Sequence, residues 1–197
     1  MRFAIALVCG FAGLQLHAGA EDAAPVGVER LRELLSRPAA SGPIPELDSA
    51  DPAELRETPR GRAILEEAAK LPPEIPQTTY SDYRIFKATG DRRMYEKPYF
   101  EKRSRLATFA LAAWLSGDDS FLPAVNDHLW DICEETTWVL PAHENPMPWY
   151  IDLFAAETGA ELAHVLLLLG DRLPDEVRNR VRDEVRLPMV YVSHQAA

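Results

Sequence analysis

The sequence predicts an all-α chain, and three observations predict it. Apolar residues recur at helical spacing in several long stretches after Tyr80. Glycine-led turns, Gly117-Asp118-Asp119 and Gly170-Asp171-Arg172, separate those stretches. No stretch carries a convincing strand alternation. Helices joined by short turns pair antiparallel, so the expected architecture is a set of stacked helical hairpins.

Residues 1–20 read as a secretory signal peptide. Arg2 gives a short basic start, Phe3 to Leu16 an apolar run, and Ala18-Gly19-Ala20 a small-residue cleavage site. The run is shorter than the roughly 18 to 20 apolar residues a membrane span needs. The expected location is therefore periplasmic or secreted, with no membrane attachment after cleavage. Cys9 leaves with the signal, and Cys133 remains as the sole cysteine, so no intramolecular disulfide is expected.

Residues 21–79 form a proline-rich leader. Gly27 to Arg37 can make a short amphipathic helix, and Pro38, Pro43, Pro45 and Pro52 keep the following stretch irregular. A second helix is predicted over Ala53 to Lys70, with Pro59-Arg60-Gly61 as the place where it would break. Residues 80–197 carry the main body. Pro98 to Ser116 places Phe100, Ala107, Ala110, Leu111 and Trp114 on one helical face. Ser120 can cap the next helix, where Leu122, Val125, Leu129, Ile132 and Cys133 recur at helical spacing.

The longest apolar helix is predicted from Ile151 to Leu169, stopped at Gly170, with Leu153, Phe154, Ala156, Ala160, Ala163 and the Val165–Leu169 run. So wide an apolar side predicts burial over most of its circumference, Leu167 included. Pro174-Asp175-Glu176 suits the start of a last helix with a narrow Val177, Val181, Val185 stripe, and Pro188 is expected to stop it.

The chain carries a net charge of −10, which becomes −11 once Arg2 leaves with the signal. That balance and the lack of a phosphate-binding glycine loop argue against nucleic acid as a partner. Attraction for any anionic partner must then be local. Arg84 to Arg105 supplies such a place, with eight basic residues against Asp91, Glu96 and Glu101. Arginine forks hold carboxylate or sulfate oxygens in pairs, and Arg103 and Arg105 are the candidates there. A solvated charged face is the plainer account of the same run.

The Trp138, Pro141-Ala142-His143 pattern, followed by DLFAAETGAELAHVLLLLGDRLPDEVRNRVRDEV, resembles the N-terminal part of heparinase II/III-like polysaccharide lyases. YRIFKATGDRRMYEKPYFEKRSRLATFALAAWLSGDD is similar to the same family's first helical hairpin, so the likeness runs from about Tyr80 to Arg186. The resemblance implies an incomplete (α/α) toroid, no cofactor, and a uronic-acid-containing acidic polysaccharide or oligosaccharide as partner. It implies β-elimination, in which a base removes the proton beside the carboxylate while donors neutralise the developing charge. The sequence ends at VYVSHQAA, short of the family's asparagine- and tryptophan-rich catalytic segment, so no catalytic residue is assigned.

The stiff loop from Trp138 to Tyr150 has the residue types a sugar groove uses. Trp138, Trp149 and Tyr150 offer flat faces for sugar rings, and His143 and Asn145 offer polar contacts. The alternative is that the tryptophans cap the core and His143 is a satisfied loop histidine. Glu161-Leu-Ala-His164, with Glu157 one turn earlier, has the Glu-x-x-His spacing of di-iron bundles. A second such pair is missing from the sequence, so no metal is expected. Two functions remain open: the lyase, or a non-catalytic helical module that keeps part of a glycan groove.

Overall fold

The computed structural model describes residues 50–72, 74–144 and 151–194. The signal segment, the Gly27 to Arg37 helix, Asn145, Trp149 and Tyr150 lie outside the described residues. Among the described residues the fold is all-helical, with seven α-helices and three short 3-10 turns.

The helix predicted over Ala53 to Lys70 is two helices, α1 (Pro52–Arg56) and α2 (Pro59–Ala68). Thr58 is extended because the residue before a proline avoids the helical region. Its hydroxyl then accepts the Gly61 N–H at 3.0 Å and restarts the chain as a capped helix. Helix α3 (Tyr80–Thr89) opens with a capping box between Thr79 and Asp82, and Gly90 ends it at φ 76°.

Helix α4 (Arg93–Ser116) begins five residues before Pro98, where its start was predicted. The Arg93 N–H is taken by Asp91 at 3.0 Å, and a proline so close to a helix start removes a single backbone bond. After the 3-10 turn Asp119–Phe121, helix α5 (Leu122–Cys133) carries the predicted apolar face: Val125, Leu129, Ile132 and Cys133 are all buried. Asp118, not Ser120, provides the turn's carboxylate, accepting the Ser120 N–H at 2.8 Å.

Helix α6 (Leu153–Leu169) starts at the cap Asp152 and ends at Gly170. Helix α7 (Asp175–His194) runs through Pro188 instead of stopping there. An interior proline forfeits one bond and kinks a helix but does not always end it.

Helix α4 is the hub: α1, α2, α3, α5 and α6 all pack on it. Lys102, early in α4, meets Asp131, late in α5, so those two helices run antiparallel. Tyr99 lies near Phe154 and Ala113 near Arg172, so α4 and α6 run parallel. Arg180 of α7 bonds the Cys133 carbonyl at the end of α5 and closes the four-helix ring. Leu106, Phe109, Leu129, Ile132, Leu162, Val165, Leu169 and Val181 fill its centre.

The expectation that α6 is buried nearly all round does not hold. Ala155, Thr158, Leu162, Val165 and Leu169 face the ring, whereas Leu153 is 73% and Leu167 44% exposed. Among the described residues the helices against which α6 packs most closely are α4 and α7, with Trp138 and His143 against its first half, and the outer side of its second half is left open.

Candidate functional site

The polar chemistry gathers around the first half of α4, where α3, the loop after α5 and the start of α6 converge. At its base Lys102 and Arg103 are buried inside the protein. Lys102 pairs with Asp131 and, at 2.9 Å, with Glu135. Arg103 reaches Glu135 at 2.7 Å, donates its Nε–H to Thr158 at 2.7 Å, and lies 3.5 Å over the Tyr99 ring. Buried cations need such partners, because each would otherwise lose its hydration without return.

Tyr99 donates its hydroxyl to the Trp138 carbonyl at 2.8 Å, and burial pushes that hydroxyl up to about 12. Burial also raises the Glu161 carboxyl to about 8, with Arg103 opposing the rise and Glu157 adding to it. The same cause lifts the Cys133 thiol to about 12, which leaves it protonated and unreactive.

Above this base sits His143. Asp152 is 4% exposed and fixed on three sides: Oδ1 accepts the Ala155 N–H at 2.7 Å, while Oδ2 accepts the Leu140 N–H at 3.3 Å and faces His143 Nδ1 at 2.8 Å. His143 Nε2 lies 3.2 Å from Arg92 Nη2. Guanidinium has only donors, so Nε2 accepts from it, and Nδ1 carries the proton given to Asp152. These two contacts select the Nδ1–H tautomer, and the ring stacks on Phe154 with centroids 5.6 Å apart. Glu96 holds the Arg92 Nε–H from behind. Beside them Glu144 takes Lys87 at 2.6 Å and the Tyr83 hydroxyl at 3.1 Å, which raises the Tyr83 hydroxyl above its ordinary value.

A groove of about 680 Å³ opens between α3 and the end of α5, with Tyr80, Tyr83 and Tyr95 on one wall and Asp131, Glu134 and Glu135 on the other. Neither a scan against protein-family models nor a search of curated proteins found a match for this chain.

The residues singled out in the sequence fall in different places. His143 stands at the site's mouth. Trp138 packs on the core and donates its indole N–H to the Ile132 carbonyl at 2.9 Å. Arg103 is enclosed as described, and Arg105 is spent on the Pro72 and Glu74 carbonyls and on Glu101 at 2.6 Å. In this structure both arginines serve internal partners. Sequence reasoning passed over Asp152, Glu135 and the α3 tyrosines. Asp152 did carry a readable signal, since an aspartate directly before an apolar helical run is a cap. Nothing local marks Glu135, whose partners lie 32 and 33 residues away.

Proposed function

We propose that this chain is an exported polysaccharide lyase, or the part of one that holds the glycan, acting on a uronic-acid-containing acidic polysaccharide by β-elimination. In this reading its two hairpins, α4–α5 and α6–α7, belong to an incomplete (α/α) toroid. Their arrangement supports it: α4 runs parallel to α6 in one layer, α5 and α7 form the other, and stacked hairpins repeat in that way.

The observation that carries the functional reading is the Asp152–His143–Arg92 set. Arg92 is an exposed fork beside an imidazole whose tautomer is fixed by a buried carboxylate. A uronate carboxylate would draw Arg92 onto itself, which neutralises the charge that grows as the neighbouring proton departs. That shift bares the Nε2 lone pair of His143. Nε2 then takes the C5 proton, the electron pair forms the C4–C5 double bond, and the C4–O bond breaks. The departing oxygen takes a proton from the imidazolium or from solvent. Asp152 stabilises the imidazolium in between.

Ultraviolet absorbance of the unsaturated product, followed during incubation with a polyuronate, tests turnover. A rise that disappears in His143→Gln supports the lyase reading, and a flat trace with bound polyuronate supports the second reading, a glycan-holding module.

A further inference from the structure

The groove between α3 and the end of α5 has chemistry opposite to that of the His143 mouth. Its exposed floor is Tyr80, 73% exposed, with the Tyr83 ring 6.3 Å away and inclined by only 23°. The Tyr83 ring, with Lys87 Nζ 5.8 Å from its centroid, backs Tyr80, and the open face of Tyr80 is an apolar platform of the kind on which the C–H faces of sugars stack. Facing the platform are Asp131 and Glu135, whose charges are offset by the buried Lys102 and Arg103. Glu134 is likewise paired with Arg180 at 3.2 Å. These carboxylates therefore attract no strong cation; Glu135 Oε1 is filled by Lys102 and Arg103, but Glu135 Oε2 and the Asp131 oxygens, one of which takes the Gln77 amide at 3.2 Å, each keep a lone pair for a hydroxyl. Lys102, the groove's cation, is 2% exposed and already holds two carboxylates, so a uronate would find no free cation there. The volume, about 680 Å³, falls within the range of small-molecule sites.

We infer that this groove binds a neutral sugar unit, stacked on Tyr80 with Tyr83 behind it and with vicinal hydroxyls donated to Asp131 and Glu135. The site stands on the groove alone and does not depend on the lyase reading. A glycan crossing both places would offer a neutral ring here and an acidic one at Arg92.

Saturation-transfer NMR on the full chain with cellobiose and with N,N′-diacetylchitobiose tests it. At least one disaccharide should receive magnetisation, and the signal should persist at high salt because no net charge is exchanged. Tyr80→Ala should weaken binding about tenfold, as lost stacking predicts, and Tyr80→Phe should retain it. Tyr80 is so exposed that its removal leaves no cavity in the core. No transfer to either disaccharide, full affinity in Tyr80→Ala, or displacement of the bound disaccharide by a uronate dimer would each overturn the proposal. Loss of polyuronate contact at Arg92 with this binding intact would sink the lyase reading alone.

Discussion

Glu135 shows how much one side chain holds. It accepts from both Lys102 and Arg103, and all three lie in the interior or at its edge. Glu135→Gln takes the only carboxylate from the buried Arg103 and leaves Lys102 with Asp131 alone, and should destabilise the protein by about 3–5 kcal/mol in denaturant titration. Glu161 acts in the opposite sense. Its carboxyl rises from 4.5 to about 8 on folding, so the folded state holds a proton that the unfolded chain releases. Its contribution is full below 4.5, shrinks as pH climbs from 4.5 to about 8, and is gone above. Thermal melts should thus fall across that window, by up to about 1 kcal/mol of stability per pH unit, and Glu161→Gln should flatten the fall. The sequence offered Glu161 through its spacing to His164. It did not offer the raised carboxyl, which comes from the burial that Glu161 meets in the folded chain. His143 was legible for a similar local reason, as a polar residue in a stiff loop, whereas its orientation by Asp152 and Arg92 needed contacts 9 and 51 residues apart.

At the scale of elements, helix ends were the most readable feature. Gly90, Gly117 and Gly170 all take positive φ at the stops their helices require. Prolines were less readable, since Pro52, Pro59 and Pro123 lie in the first turn of their helices whereas Pro98 and Pro188 lie well inside theirs. Which side of α6 is buried was also hidden, because its composition is apolar nearly all round and periodicity cannot choose among apolar faces. Leu153–Arg172 is long and apolar enough to cross a membrane by composition alone, yet one line of it packs into the ring. Two substitutions separate its faces. Leu162→Ala should cost about 2–5 kcal/mol, as deletion from a closed core does, whereas Leu167→Asp on the exposed side should cost under about 1 kcal/mol. Equal effects in denaturant melts would contradict the orientation of α6. A third change reports on α2: a Cβ at Gly61 would overlap the Leu55 carbonyl oxygen and crowd the Arg56 backbone. Gly61→Ala must push α1 away from α2, at a cost of about 1–3 kcal/mol in the same melts.

Across the whole molecule, the sequence marks the apolar segment that ends at Gly170 as the helix to be buried over most of its circumference, and the structure makes α4 the hub instead. The greasiest helix is not the hub, for a physical reason. A hub must carry both core residues and the buried polar groups that face several neighbours, and α4 holds Tyr99, Lys102 and Arg103 beside Leu106 and Phe109. The acidic chain thus keeps its exposed arginine and its oriented imidazole at one rim, next to a tyrosine groove of nearly balanced charge. On the proposed function and the further inference, acidic sugar belongs to the first place and neutral sugar to the second. Calorimetric titration of a uronic-acid oligosaccharide into the full chain and into Arg92→Ala/His143→Ala tests it most directly. The expected result is salt-sensitive binding by the unaltered chain that the double substitution abolishes while the melting temperature is kept; equal affinity in both proteins, or no binding by either, would contradict the assignment of acidic glycan to this rim.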